Sequence, residues 1–365
     1  MKKRVKQFNG YSAVQVGLNN KNLLQEEVKM TVENIWKALD DDSLKDSIRK
    51  RPGMYIGGIG PTGLESMVLQ VLDSLISLAV DLKQTELSIE LSDNQLIFSF
   101  FSEKGLYLDK EPKDQYTSPY LFLSVVNALS EQLGFGVEKA GRRTIQIYQN
   151  GQLNKKALIP SDDEGQRIEL AFTPNQQLFG AKPLSYFILF NRCQELAMLN
   201  SGLTISLTDG KQQKNHLCYQ QGLIEYIFQK DDSITRGSQP LVINTVNEGV
   251  LIQAVISKNG STSIKDSFVN GHLPADGGTH LDGFVQGTVD AINQYLEETN
   301  RLKYLTVDNF SERFDFVLSI KVKRPRYTGA VKKKIRNPEL HKIVKEAVSA
   351  EVTSFLKRHP SWYAN

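Results

Sequence analysis

Six polar residues in one short stretch are the first candidates for chemistry: Ser66, Gln70, Asp73, Ser74, Ser77 and Asp81. On a helix, steps of three and four set Ser66, Gln70, Ser74, Ser77 and Asp81 along one side, with Asp73 beside them. Only the aspartates, with Glu65 just upstream, are able to take a proton near neutral pH; a glutamine amide cannot, and a serine hydroxyl is at most a short metal ligand. The plainer reading of such a stripe is a solvated helix face. A second cluster is basic: Lys321, Lys323, Arg324, Arg326, Lys332, Lys333, Lys334 and Arg336 fall within residues 321–336, which hold no acid. A merely soluble loop usually mixes its signs, so charge of one sign on that scale suits a phosphate-contacting role. A third group, His272, Asp276, His280 and Asp282, has the composition of a metal site, but its spacing fits no standard zinc motif. Turn and capping roles are expected there instead, with Gly277 and Gly278 in a turn and Thr279 as a helix cap.

These residues need elements to hold them. Thr62 followed by Glu65 reads as a capping box, which starts a helix running to about Leu82. Its apolar residues, among them Leu64, Met67, Val68, Val71, Leu72 and Leu75, form one buried face. Alternation from Thr85 to Phe101 around Asp93-Asn94 predicts a β-hairpin, and further strands are expected between Gly134 and Thr173. Helices are predicted at Tyr186–Leu199, after Gly278, and from His341 to Pro360, and two strands within residues 240–260. A short helix is expected around Thr31–Asp40.

The composition sets the outer limits. A chain of 365 residues and 41.1 kDa is too long for one ordinary core, so two domains are expected. Forty per cent hydrophobic and 23% charged residues describe a globular protein. Two cysteines, Cys193 and Cys218, give neither a ligand cluster nor a disulfide framework, and Cys193 is expected in the core. No stretch reaches the length of a membrane span and the basic start lacks an apolar core, so the chain is expected in the cytoplasm. The net charge of +3 depends on the basic run, without which the balance is acidic.

The segment Ile48–Gly57, IRKRPGMYIG, followed by Gln70–Val80, QVLDSLISLAV, resembles the VRKRPGMYIG loop and EVVDNSIDEAL-type helix of the bacterial DNA gyrase B and topoisomerase IV B-subunit family, members of the GHKL ATPases. The resemblance returns in LSVVNALSEQL (123–133), read as a packing helix, and in ELAMLNSGLTISLTD (195–209) and HLCYQQGLIEYIF (216–228). It is fullest in residues 267–298, where SFVNGHLPADGGTHLDGF matches FVNNINTYEGGTHEEGF. It extends through Asp308–Pro325, expected as a loop and long strand, to PRYTGAVKKKI. It implies an α+β chain: an arm at residues 1–42, a GHKL-type α/β sandwich at 43–230, and a ribosomal-protein-S5-like transducer domain at 231–365.

The same resemblance places the family's catalytic glutamate on Gln70 and its magnesium-binding asparagine on Ser74. The adenine-binding aspartate falls in Phe100–Leu106, FFSEKGL. The glycine-rich lid corresponds to a shorter glycine-free segment between Gly105 and Leu123. The Gly-Thr pair that holds an adenine-bound water falls on Gly165 and Gln166. The glutamine and lysine that reach the γ-phosphate fall on Ala330 and Lys332. An arm tyrosine that touches the partner's nucleotide would be Tyr11. The expectation is therefore a B-subunit-like pseudo-ATPase with no catalytic residue, a vestigial nucleotide site at Gln70, Ser74 and Lys332, and no cofactor. Its partners would be duplex DNA through the basic run, and a topoisomerase subunit or a second copy of the chain. Two alternatives stay open: an active ATPase using ATP and magnesium, with Asp73 or Glu65 as base, and an inhibitory homologue that pairs with an intact gyrase subunit.

Overall fold

In the computed structural model the described residues are 35–79, 85–92, 94–106, 121–161, 165–181, 184–210, 213–231, 239–301, 304–328 and 332–363. Two compact units meet between Tyr219 and Gln220. In the first, residues 35–40 are helical, within the span expected. Helix α1 (Asp42–Lys50) is capped by the Asp41 carboxylate, which accepts the Leu44 N–H at 2.9 Å. A single helical turn, α2 (Pro52–Ile56), stops at Gly57 with φ of 75°.

Helix α3 (Gly60–Ser77) carries the polar stripe and buries Leu64, Met67, Val68, Val71, Leu72 and Leu75, as the pattern requires. Its ends differ from expectation. The helix begins at Gly60 with no side-chain cap, so Thr62 and Glu65 form no capping box; Pro61 in the first turn has no N–H to satisfy and a φ already set for helix. It stops at Ser77 rather than near Leu82. Leu78 N–H bonds back to Leu75 O, the Ser77 hydroxyl donates to Ser74 O at 2.7 Å, and Ala79 leaves to bridge Leu106.

Strands β1 (Thr85–Leu91) and β2 (Leu96–Ser102) form the expected hairpin, pairing from Thr85↔Ser102 to Leu91↔Leu96. Helix α4 (Leu121–Ala128) is followed at once by β3 (Ser130–Lys139). The residues Ser130–Leu133, read as helix, are therefore strand. Their partners explain it: β3 pairs on both sides, and Leu133, Phe135 and Val137 alternate into the core with Gly134 and Gly136 between them. Strands β4 (Arg142–Gln149), β5 (Gln152–Pro160) and β6 (Gln166–Pro174) follow, then a short α5 (Gln176–Phe179). Helix α6 (Tyr186–Leu199) has the bounds expected, and β7 (Thr204–Thr208) and β8 (Lys214–Cys218) complete the unit. The sheet order is β5-β4-β3-β6-β2-β1-β7-β8, antiparallel except for β1 with β7. Apolar faces of α1, α3, α4 and α6 meet the sheet in one core that includes Phe98, Phe100, Phe135 and Phe172. Each such side chain, fully buried, contributes about 1.5–3 kcal/mol. Cys193 lies in that core, and burial pushes its thiol up to about 12.

Helix α1 is held to the sheet by its cations. The Lys45 ammonium, 2% exposed, donates to Gly151 O at 2.7 Å, and the Arg49 guanidinium donates to Ala128 O at 3.1 Å and Asn150 O at 2.8 Å. Gly151 has φ of 77°, and a Cβ there would overlap the Arg49 guanidinium.

The second unit opens with α7 (Leu223–Lys230), which packs on the strands β10 (Val250–Lys258) and β12 (Phe314–Lys321). With β9 (Leu241–Asn247) and β11 (Lys265–Val269) they form a sheet in the order β11-β12-β10-β9. Strands β9 and β10 are the two predicted at 240–260. Helix α8 (Thr279–Glu298) lies along α10 (Pro338–Arg358), which starts before the expected His341. Thr279 does not cap α8; Gly278 occupies the cap position, and the Thr279 hydroxyl donates instead to Asn337 O at 2.8 Å. The expected loop after Asp308 is a helix, α9 (Val307–Arg313), started by reciprocal bonds between Thr306 and Asn309. Among the described residues no helix is long and apolar enough to cross a membrane.

Candidate functional site

The polar face of α3 is bound up with its own surroundings. The Gln70 amide donates to Tyr55 O at 3.1 Å and to the Ser66 hydroxyl at 3.3 Å, which ties the RPGMYIG segment to the helix. A carboxylate at residue 70 has no proton to offer that carbonyl. Ser74 is half-buried. Asp73 is engaged by Arg192 of α6 at 2.6 Å, and the same guanidinium also pairs with Glu195. Burial acts against the charge on Arg192, and the two carboxylates outweigh it, so its pKa moves up. The Asp73 carboxylate is committed to Arg192. Glu65 is half-buried at the helix start. Asp81 lies outside the described residues.

The end of β2 is closed in the same manner. Phe100 is fully buried among the core residues. Phe101 points the other way, with the Arg167 guanidinium 4.9 Å from its ring centroid, and its ring lies so close to Gly165 that a Cβ there would overlap it. Gln166 accepts the Leu106 N–H at 2.8 Å and packs on Gly105, whose φ is 95°. Side chains of the chain itself thus occupy the positions where the resemblance placed adenine contacts. Tyr11, the lid segment 107–120 and Ala330 lie outside the described residues.

The basic run divides into parts. Lys321 ends β12 half-buried, and burial pushes its amine down to about 8. Lys323, Arg324, Arg326, Lys332, Lys333, Lys334 and Arg336 are exposed. The Lys332 ammonium lies 5.6 Å from the Tyr327 ring centroid. Because the folded chain holds Lys321 less protonated than the unfolded chain between pH 8 and 10.5, stability rises with pH across that window. Lys321→Met is expected to remove about 1–2 kcal/mol of the stability that the parent gains between pH 7 and pH 10; urea titrations of both at the two pH values measure it, and an equal pH dependence in parent and variant would contradict the burial cost.

Of the third group, His272 meets the Tyr327 ring edge-on at 6.0 Å, while His280 is fully buried with neither ring nitrogen hydrogen-bonded. Among the described residues no three His, Cys, Asp or Glu side chains gather as a metal set. Two residues of consequence escaped the sequence. Arg192 stands 119 positions from Asp73, and only the fold joins them. Asn337 holds the cap position of α10 without capping it; its amide serves the basic segment, accepting the Arg326 N–H at 2.6 Å and donating to Arg324 O at 3.1 Å.

The eight-stranded sheet with helices on its core face, followed by the four-stranded unit, is the GHKL-type α/β sandwich and S5-like transducer arrangement. It matches the 43K ATPase domain of Thermus thermophilus gyrase B, solved with an aminocoumarin, with a TM-score of 0.74 at 23% identity, over 90% of this chain and 93% of that one. The topoisomerase IV ATP-binding domain of Francisella tularensis, solved with a small-molecule inhibitor, matches with a TM-score of 0.71 at 25% identity, over 87% of this chain and 92% of that one. Residues 221–365 match the DNA gyrase B family. The chloroplastic/mitochondrial gyrase B protein of Oryza sativa subsp. japonica is 27% identical over 98% of this chain and 54% of its own length; the gyrase B protein of Archaeoglobus fulgidus is 28% identical over 92% and 58%. The chain is thus similar, along most of its length, to gyrase B proteins and to the ATPase domains of gyrase B and topoisomerase IV. It spans just over half the length of those two relatives.

Proposed function

We propose that this chain is a type IIA topoisomerase B-subunit-like protein that does not hydrolyse ATP and serves as a DNA-binding module, working with a second copy of itself or with another topoisomerase subunit. The observation that carries the reading is the fully buried Phe100, set in the core where adenine recognition would need an exposed carboxylate. Gln70 and Asp73 support it: one is an amide spent on a backbone carbonyl, the other a carboxylate paired with Arg192. Catalysis of phosphoryl transfer to water depends on a positioned base and on preorganised charge around the triphosphate, and neither is available from these residues. The exposed cations of residues 323–336 supply the DNA contact, and two cysteines outside any disulfide suit the cytoplasm.

Titration calorimetry with a nonhydrolysable ATP analogue and magnesium tests the reading; no binding heat is expected, and micromolar affinity would overturn it. Gln70→Glu combined with Ser74→Asn is expected to leave steady-state ATP hydrolysis at background. The double change restores two residue types but leaves Phe100 in the core, Asp73 on Arg192, and a new carboxylate facing Tyr55 O. Turnover in that variant would mean nucleotide is still held.

A further inference from the structure

The hairpin formed by residues 326–328 and 334–336 is fixed on both edges. Tyr327 and Ile335 bridge antiparallel, flanked by Arg336 N–H to Arg326 O and Thr328 N–H to Lys334 O, each 2.8 Å. On the outer edge Ile335 N–H donates to Gly277 O at 3.0 Å and Asp276 N–H to Lys333 O at 2.8 Å. The buried Asn337 closes the base through Arg326 N–H and Arg324 O. Ile335 is fully buried and Tyr327 packs on the same core. Side chains alternate across a strand, so Arg326, Thr328, Lys334 and Arg336 project from the opposite face, and all four are exposed.

Facing residues of an antiparallel pair have Cβ atoms about 4.5–5.5 Å apart, and like charges set directly opposite destabilise the pair. Arg326 faces Arg336, with Lys334 next along the same face. Among the described residues none of these three cations forms an ion pair. The Glu339 carboxyl is held below the usual carboxylate range first by the Asn337 amide, then by its own backbone N–H, with a smaller contribution from the charge of Arg326. The arginine pair thus costs the free chain stability that a bound anion would return.

We propose that Arg326 and Arg336, with Lys334 beside them, form a clamp for one backbone phosphate of duplex DNA. The proposal rests on the DNA-binding reading above and narrows the basic run to three residues on one face. Two planar guanidinium forks match the oxygens of a phosphodiester, and hydrogen bonds between ionised partners are the strong ones. The backbone beneath them is already ordered, so binding costs little there. Lys321, half-buried at the strand end, and Lys332, over the Tyr327 ring, lie outside the clamp.

The test is a fluorescence-anisotropy titration of a labelled duplex of mixed sequence with the full chain, repeated across a salt series. The parent is expected to bind, with affinity falling steeply as salt rises. Arg326→Ala with Arg336→Ala is expected to weaken binding about tenfold or more near 100 mM salt and to flatten the log–log slope by about 0.9, the share of one phosphate. Each single change should give most of that loss, because both forks hold one phosphate. Lys342→Ala, on the exposed face of α10, serves as a control for net charge and is expected to change affinity by less than about twofold. Without DNA, Arg336→Thr is expected to raise the thermal midpoint, since it removes the like charge facing Arg326 across the pair; a fall would give the arginine a structural role and overturn the clamp. A parent that binds no duplex overturns the DNA reading and the clamp together. A parent that binds, with a double variant of equal affinity and slope, overturns the clamp alone. Displacement of the duplex by millimolar inorganic phosphate at constant ionic strength would assign the site to a free anion and likewise overturn it.

Discussion

Between pH 7 and pH 5 the second unit is expected to lose about 2 kcal/mol of stability through one side chain, His280. The imidazole is fully buried at the start of α8, with no hydrogen bond to either nitrogen, and burial pushes its pKa from the usual 6.5 down to about 4. The folded unit therefore keeps His280 neutral where the unfolded chain protonates it. Across the window from 6.5 to 4 the unfolded state binds more protons, so stability rises with pH and is lost as the pH falls. The helix N-terminus, itself partly positive, adds to the penalty on an imidazolium there. Asp290 and Glu339, whose carboxyls are held below their usual values, take part only in more acid solution, so pH 7 to 5 isolates the histidine. The chain has two tryptophans, Trp36 in the first core and Trp362 stacked on Phe314 in the second. With Trp36→Phe as background, urea titrations followed by Trp362 fluorescence report the second unit. His280→Phe should make the two pH values coincide; a persistent loss of the same size would assign it elsewhere.

Gly283→Ala with Gly287→Ala is expected to destabilise the same unit by about 4 kcal/mol, roughly 2 for each site. A Cβ at Gly283 would overlap the backbone carbonyl oxygen of His341, and one at Gly287 that of Lys345, so α8 and α10 touch through main chain. Backbone atoms cannot rotate aside, and the helices must part, which loosens the apolar contacts of Phe284, Ile292, Val344 and Val348 around them. Alanine's better helix propensity returns about 1 kcal/mol per site and is included in that figure. Gly58→Ala, where a Cβ would meet nothing nearer than the Thr62 hydroxyl at 4.0 Å, should change stability by less than about 0.5 kcal/mol. Denaturation midpoints decide the matter: a double variant as stable as the parent would mean the helix pair opens at no cost.

Where an element's own period is long and regular, the sequence reading and the structure agree. Helix Tyr186–Leu199, the hairpin from Thr85 and the buried face of α3 are all of this kind. The disagreements lie where a distant partner decides. Ser130–Leu133 continues a helical pattern, yet becomes strand because β6 and β4 lie ready to pair with β3. Residues 307–313 turn into a helix because Thr306 and Asn309 cap each other, a signal hidden in a stretch with little apolar period. The site divides in the same way. That residue 70 is an amide and residue 100 an aromatic is plain from the sequence; that the amide holds Tyr55 O and that Asp73 is claimed by Arg192 depends on tertiary placement. The basic run shows eight cations as a string, whereas the backbone pairing of Arg326 with Arg336 requires the hairpin, and the burial of Lys321 requires the fold around the end of β12.

The cations of α1 also bear on the order in which the first unit assembles. Lys45 reaches a carbonyl 106 positions further along the chain, and its buried ammonium, whose partner within the helix is Asp42, gains that second acceptor only once β4 and β5 have turned at Asn150–Gly151. Closing so long a loop is a slow, non-local step. The final seating of α1, with Ile48 fully buried, is therefore expected to follow that turn.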